Sequence, residues 1–271
     1  MNLAGMSIAA ILGKPPLAPL EARILLCHAL QLSRVQLITR SEQTLDDGQA
    51  NLLAALFQRR IDGEPIAYIT GEREFYGLSL RVNRDVLIPR PETELLVELA
   101  SERLPPDGSV LDLGTGSGAI AVALAHSRPD ARVTAVDVSE AALTVARDNA
   151  IRHDAAIRFM RSDWYAALPG QQFDMIVANP PYIVAGDMHL SQGDLRFEPV
   201  DALTDHADGL SALRAIANGA PGHLAAGGWL LMEHGYDQAP AVRGLLEARG
   251  FHQVQSWRDL AGIERASGGR K

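Results

Sequence analysis

The sequence is poor in cysteine, lysine, aromatic residues and long apolar runs, and each shortage closes off a class of protein. One cysteine in 271 residues, Cys27, cannot form an internal disulfide or a cysteine metal cluster. Such sparse usage fits a reducing compartment, and Cys27 reads as a small buried apolar residue of a helix. No stretch approaches the ~20 uninterrupted apolar residues that a membrane-spanning helix needs. The short apolar run from Met6 to Leu12 has no basic residue before it, so neither a secretory signal nor a transit peptide is expected. The expected location is cytoplasmic, with no membrane partner. The two lysines, Lys14 and Lys271, leave arginine to carry almost all the positive charge. Basic residues number 25 against 33 acidic, a net charge of −8. Duplex binding normally calls for a basic face, so direct DNA binding is not expected. The histidines are scattered without a metal-ligand spacing, so no metal is expected either.

What is present is a globular balance of 47% apolar and 21% charged residues, long enough for one large or two modest domains. The first part reads as helical. Leu20, Ile24, Leu25, His28 and Ala29 share one helical face, and Leu45, Leu52, Leu53, Leu56 and Phe57 another. This predicts a small helical bundle over residues 1–73. Residues 74–91, with aromatic and β-branched residues around the turn signals Gly77 and Asn83-Arg84-Asp85, read as a β-hairpin linker. From Glu92 onward, short apolar strands alternate with helices to the end of the chain. That pattern means a mostly parallel sheet covered on both faces, an α/β domain over residues 92–271.

Within that domain, Val110–Leu113 reads as a buried strand that runs through Gly114, Thr115, Gly116, Ser117 and Gly118 into a helix. The glycines allow a tight turn and let a ligand touch the backbone. Asp137 ends the next strand, where a carboxylate can accept hydrogen bonds from both hydroxyls of a ribose. A dinucleotide fingerprint prefers a different glycine spacing. Here Asp112 precedes the turn and can take the ammonium of a methionine moiety, directly or through water, which favours S-adenosylmethionine over NAD. Asp163 and Trp164 follow the next strand; the carboxylate can accept from an adenine amino group, and the indole can lie against the ring.

The tetrapeptide Asn179-Pro180-Pro181-Tyr182 leaves a buried strand, and its prolines fix the exit. An amide or aromatic amine nitrogen is a poor nucleophile, because its lone pair is delocalised. The Asn179 side-chain oxygen and the Pro180 carbonyl can accept its two N–H groups, fixing the plane and enriching the nitrogen. Tyr182 offers a ring to stack on the flat group. No strong general base is needed, since a positive sulfonium departs as a neutral thioether.

These motifs, with Gly63-Glu-Pro-Ile-Ala-Tyr-Ile-Thr-Gly-Glu72, Phe75-Tyr-Gly-Leu78 and Leu87-Ile-Pro-Arg-Pro-Glu-Thr-Glu94, resemble the release factor glutamine methyltransferase family (PrmC/HemK) over essentially the whole chain. The resemblance implies a Rossmann-like seven-stranded methyltransferase sheet after a small N-terminal helical bundle. It implies methyl transfer from S-adenosyl-L-methionine to the glutamine of the Gly-Gly-Gln motif in class 1 peptide chain release factors, giving N5-methylglutamine. The helical domain would help engage the release factor. Gly114 to Gly118, Asp137 and Trp164 would hold the cofactor, and Asn179 to Tyr182 the glutamine, with Asn179 also near the cofactor. Arg90, Glu92 and Thr93 would lie near the rim, although Arg90 also suits a salt bridge of the hairpin. Glu198 carries no catalytic assignment, and Glu233-His234 suits a strand-end turn as well as a site role. The C-terminal Glu264–Lys271 is richer in small residues than the family's closing strand, which leaves that strand open. A DNA or RNA amino-methyltransferase shares the tetrapeptide and stands as the alternative. A cofactor-binding module without catalysis is a third.

Overall fold

The computed structural model describes residues 2–271. The chain divides into two compact units, Met1–Gly71 and Glu72–Lys271. The first holds α1 (Ile8–Gly13), α2 (Pro19–Leu30), α3 (Arg34–Thr39), α4 (Asp47–Ile61) and α5 (Ile66–Thr70). Side chains of Ser7, Ser33 and Asp46 start α1, α3 and α4, where the first backbone N–H groups lack partners. Ser33 with Gln36, and Asp46 with Gln49, form reciprocal capping boxes on α3 and α4. The two apolar faces expected from periodicity are partly displaced: Leu20 is 62% exposed and Leu52 48%. The buried stripes run through Ala22, Leu25 and Leu26 on α2, and through Ala50, Leu53, Leu56 and Phe57 on α4. Alanine adds little to an apolar periodicity, so a neighbouring leucine draws the predicted face round the helix.

The second unit opens with a hairpin, β1 (Glu72–Phe75) and β2 (Leu78–Arg81). Tyr76 and Gly77 turn it with positive φ at both positions, the handedness a two-residue hairpin requires. Phe75, Leu78 and Leu80 are buried in the same apolar cluster as Leu96, Val110 and Val122, so the hairpin is part of the second unit's core. A 3-10 turn (Pro91–Thr93) then leads into α6 (Glu94–Arg103). The remainder alternates as β3 (Ser109–Leu113), α7 (Ala119–Ser127), β4 (Arg132–Asp137), α8 (Glu140–Arg152) and β5 (Ile157–Arg161). It continues with β6 (Phe173–Ala178), α9 (Ser211–His223), β7 (Leu224–Glu233), α10 (Ala239–Ala248), β8 (His252–Arg258) and β9 (Glu264–Arg270).

The sheet has seven strands in the order β5-β4-β3-β6-β7-β9-β8. Strands β3 to β7 are mutually parallel, and β9 lies antiparallel to both its neighbours. Side chains alternate between two cores. Val110, Met175, Val177 and Leu231 pack on one face; Leu111, Leu113, Ile176, Ala178, Leu230 and Met232 pack on the other. The order turns back between β3 and β6, and the crevice beyond the carboxyl ends of strands at such a point is where open α/β sheets bind ligands.

The closing segment is a full strand, β9, inserted between β7 and β8. Its small residues have a packing cause. A Cβ on Gly268 would lie 2.5 Å from the Leu230 carbonyl oxygen and 2.6 Å from Leu231 Cδ2. Any larger side chain there would push β7 away.

Candidate active site

The crevice beyond β3 and β6 is a cavity of about 310 Å³. The loop from β3 to α7 forms its floor, and its backbone does what the glycine spacing demands. Gly114, Gly116 and Gly118 all have positive φ, and a Cβ on Gly118 would meet Ala146 Cβ at 3.1 Å. Gly114 N and Thr115 N both donate to the Val136 carbonyl, tying the loop to the end of β4. Asp137 ends that strand. Its Oδ2 accepts from Gly116 N and its Oδ1 from Ser139 N, each at 2.9 Å. Burial pushes the Asp137 carboxyl up, and the backbone N–H groups of Ser139, Gly116 and Val138 pull it back. Ser139 caps α8 as its position suggests, with Oγ accepting from Ala142 N.

Of the residues singled out in sequence, Gly114, Thr115, Gly116, Ser117, Asp137, Asp163, Trp164, Asn179 and Pro181 line this one cavity. Trp164 adopts φ 44°, rare for a large side chain, and Ser162 Oγ pins the turn by donating to the Trp164 carbonyl at 2.7 Å. The indole lies close to Gly114, where an added Cβ would meet Trp164 Cζ3 at 3.6 Å. Asp112, Gly118, Pro180 and Tyr182 are not among the lining residues. Asp112 is fully buried: Oδ2 accepts the Thr115 hydroxyl at 2.6 Å, and Oδ1 has no partner. Burial raises its carboxyl to about 7; the Thr115 hydroxyl opposes this, and the nearby Asp137 adds to it. Asp112 thus stands behind Thr115, which lines the cavity and donates its hydroxyl to the acid.

Asn179, at the carboxyl end of β6, donates from Nδ2 to Thr93 Oγ1 at 3.1 Å. The Tyr182 hydroxyl donates to Glu233 Oε1 at 3.1 Å, and the Tyr182 carbonyl accepts from Gln238 Nε2. Glu233 ends β7, is 1% exposed, and leaves Oε2 without a partner. Arg90 lines the cavity and pairs with Glu198, whose carboxyl also accepts from Ile88 N at 2.9 Å. That carboxyl is completely buried, so it clamps the segment before α6 to the loop after the tetrapeptide. The arginine's partner is thus distant in sequence rather than within the hairpin. No local spacing points from Glu198 or Glu233 to their partners. Val138, Ser139, Ala142 and Ile120 complete the wall beside Asp137.

A family model described as the PrmC N-terminal domain matches residues 7–71, and one described as the methyltransferase small domain matches residues 91–194. A release factor glutamine methyltransferase of Burkholderia pseudomallei is 58% identical over 271 residues, covering 97% of this chain and 95% of the relative. This chain belongs to the release factor glutamine methyltransferase family. A Neisseria gonorrhoeae member of the family is 53% identical, with 96% of each chain covered. Among solved structures, a methyltransferase from Pyrococcus furiosus shares the fold at a TM-score of 0.56 and 20% identity, covering 79% of this chain and 96% of its own. Among the described residues of this family member, no helix is long and apolar enough to cross a membrane.

Proposed function

We propose that the protein transfers the methyl group of S-adenosyl-L-methionine to the side-chain amide nitrogen of the glutamine in the Gly-Gly-Gln motif of class 1 peptide chain release factors. The products are N5-methylglutamine and S-adenosylhomocysteine. The observation that carries this reading is the orientation of Asn179. Its nitrogen is tied to Thr93, so its oxygen remains as an acceptor at a cavity shared with the glycine loop and Asp137.

The residues suit the cofactor. Each Asp137 oxygen accepts one backbone N–H and keeps a lone pair for a ribose hydroxyl. A Cβ on Gly116 would meet nothing within 4 Å, so the backbone there is open to a ligand. The partnerless Oδ1 of Asp112 is a buried acceptor whose charge suits an ammonium nearby, through Thr115. Trp164 offers its ring face to adenine, and Asp163 an acceptor for its amino group.

When bound, the cofactor supplies a methyl carried on positively charged sulfur. The protein's work is to hold a planar amide against it. Asn179 Oδ1 and the Pro180 carbonyl accept the two N–H groups of the glutamine amide, and Tyr182 presents a ring to its plane. Both acceptors grow in value as positive charge develops on the nitrogen. With the methyl supplied by the bound cofactor, these residues would hold the amide nitrogen in line to receive it, and the nitrogen would shed one proton to solvent. The first unit, matching the family's N-terminal domain, engages the body of the release factor.

Transfer of label from methyl-labelled cofactor, with a purified release factor and duplex DNA offered separately, tests this reading. Peptide mapping is expected to place the label on the Gly-Gly-Gln glutamine. Label on DNA alone would replace it with a nucleic-acid amino-methyltransferase.

A further inference from the structure

The tetrapeptide is held at both ends by segments distant in the chain. At its start, Asn179 Nδ2 donates to Thr93 Oγ1 at 3.1 Å. Just after it, Ile183 N donates to the Leu203 carbonyl at 3.0 Å. Thr93 ends one 3-10 turn and Leu203 caps another. Thr93 N bonds back to the Arg90 carbonyl at 3.1 Å, and Leu203 N to the Val200 carbonyl at 3.0 Å. The two turns meet again at Glu198. One of its carboxyl oxygens accepts Ile88 N at 2.9 Å, and the other accepts Arg90 Nη2. These bonds close a ring of chain that starts and finishes on the tetrapeptide, with Glu198 as the joint opposite it. Arg90, Thr93, Pro199, Asp201 and Ala202 all line the cavity, so the ring is one wall of the site.

The joint is unlike the loop around it. Among the described residues from Pro181 to Ala202, Glu198 alone is buried. The anchor of an exposed loop is thus a carboxyl rather than an apolar side chain. Desolvating a carboxyl offsets much of what its partner's charge contributes, so such a joint adds little stability over an apolar one. What it adds is direction, because charge-assisted hydrogen bonds fix the distance and plane of the groups they join. Beside it, the Phe197 ring centroid lies 5.8 Å from Arg84 Cζ, so adjacent loop residues grip the same segment twice.

We propose that Glu198 is a positioning residue for the substrate amide: by joining Ile88 and Arg90 to the loop after the tetrapeptide, it holds Asn179 and Tyr182 where the amide needs them. This rests on the reading of the tetrapeptide given above. Glu198 acts through the two turns and touches no substrate. The cofactor side shares none of these bonds. There, Gly114 and Thr115 are tied to the Val136 carbonyl, and Gly116 to Asp137. Loosening the joint should therefore leave cofactor binding intact.

Two variants of the full chain test this. Glu198→Ala removes both bonds, whereas Glu198→Gln keeps an oxygen for Ile88 N and loses the ionic one. Arg90 is partly exposed, so neither change strands a buried charge. The first readout needs no substrate: residue-resolved hydrogen exchange of the ligand-free protein. In Glu198→Ala the Ile88 and Ile183 amides are expected to exchange about 10-fold faster or more, while Gly114 and Thr115 keep their wild-type rates. The second readout is turnover on a release factor. Glu198→Ala is expected to lower kcat by about 100-fold with cofactor affinity unchanged, and Glu198→Gln to fall between it and the wild type. Equal acceleration at Gly114 and Thr115 would make Glu198 a general stabiliser and overturn the proposal. An unchanged Ile183 rate or an undiminished kcat would overturn it too. If Ile183 exchange rises but the wild-type protein methylates no release factor, the substrate reading fails and the positioning of the tetrapeptide by Glu198 stands.

Discussion

Two strands of the sheet carry a buried acid at or next to their carboxyl ends, and the two acids differ in how they are held. Asp112 lies in β3 just before the glycine loop; Glu233 ends β7 beside the tetrapeptide. Both are fully buried, both have one oxygen without a partner, and burial raises both to about 7. Asp112 takes its hydroxyl from Thr115, three residues along the same loop. Glu233 takes one from Tyr182, 51 residues away in the segment after β6. The same device thus serves two purposes. On β3 it stiffens a loop proposed to hold the cofactor, and on β7 it couples separate segments proposed to hold the substrate. A change near β3 should move affinity for the cofactor, and a change near β7 should move turnover.

The largest expected effect separates the two sides outright. Asn179→Ala is expected to cost turnover by about 100-fold or more, since the substrate amide loses an orienting acceptor. Cofactor affinity measured by calorimetry should remain near wild type. Equal losses in both quantities would erase the division between the sides. Asp137→Ala is the mirror case. Removing a charged acceptor for two ribose hydroxyls is expected to weaken cofactor binding by about 1.5–3 kcal/mol, with kcat at saturating cofactor much less affected. A wild-type dissociation constant would defeat the ribose assignment.

The acids themselves give a pH test. A carboxyl raised in the folded state makes the fold bind its proton more tightly. Asp112's contribution to stability is therefore fully present below about pH 4 and is lost as pH rises through about 7. The cationic cofactor prefers the ionised acid, so its affinity should run the opposite way, falling by up to about tenfold per pH unit below 7. Asp112→Asn should flatten both trends, in thermal denaturation and in calorimetry. Trends that persist in that variant would move the titration to another group.

The smallest expected effect concerns the support of β7. Gly268→Val places a side chain against the Leu230 carbonyl and Leu231, and overpacking of this kind costs about 1–3 kcal/mol in denaturant-measured stability. Because β7 carries Glu233, the remaining folded fraction should show reduced turnover while cofactor affinity holds. A loss of affinity instead would mean that strain spreads across the sheet to β3.

The same contrast explains what was legible in the sequence. The glycine loop, Asp137 and the tetrapeptide are local patterns, in which backbone and side chain meet within a few residues. Each therefore carries its own spacing signal, and each sits beside the cavity. The alternation of strands and helices likewise reports the α/β sheet. Glu198 was not legible as part of the site, and Glu233 stayed open between a strand-end turn and a site role, because their partners come from segments that only the folded sheet brings together. Glu198, for instance, accepts from Ile88 N across 110 positions. Strand β9 was obscure for the opposite reason. Its glycines weaken any strand signal, yet the closeness of Leu230 and Phe251 leaves room for little else. The burial of Asp112 behind Thr115 was not legible either, because it depends on the face of β3 that the acid occupies.

The most direct test of the account is a crystal structure with S-adenosylhomocysteine and a peptide carrying the Gly-Gly-Gln motif. The account predicts the ribose hydroxyls on Asp137 and the adenine against Trp164. It predicts the two N–H groups of the glutamine amide on Asn179 Oδ1 and the Pro180 carbonyl, with the amide nitrogen facing the sulfur. A glutamine amide held by other groups, or an Asn179 that presents its nitrogen to the substrate, would contradict it.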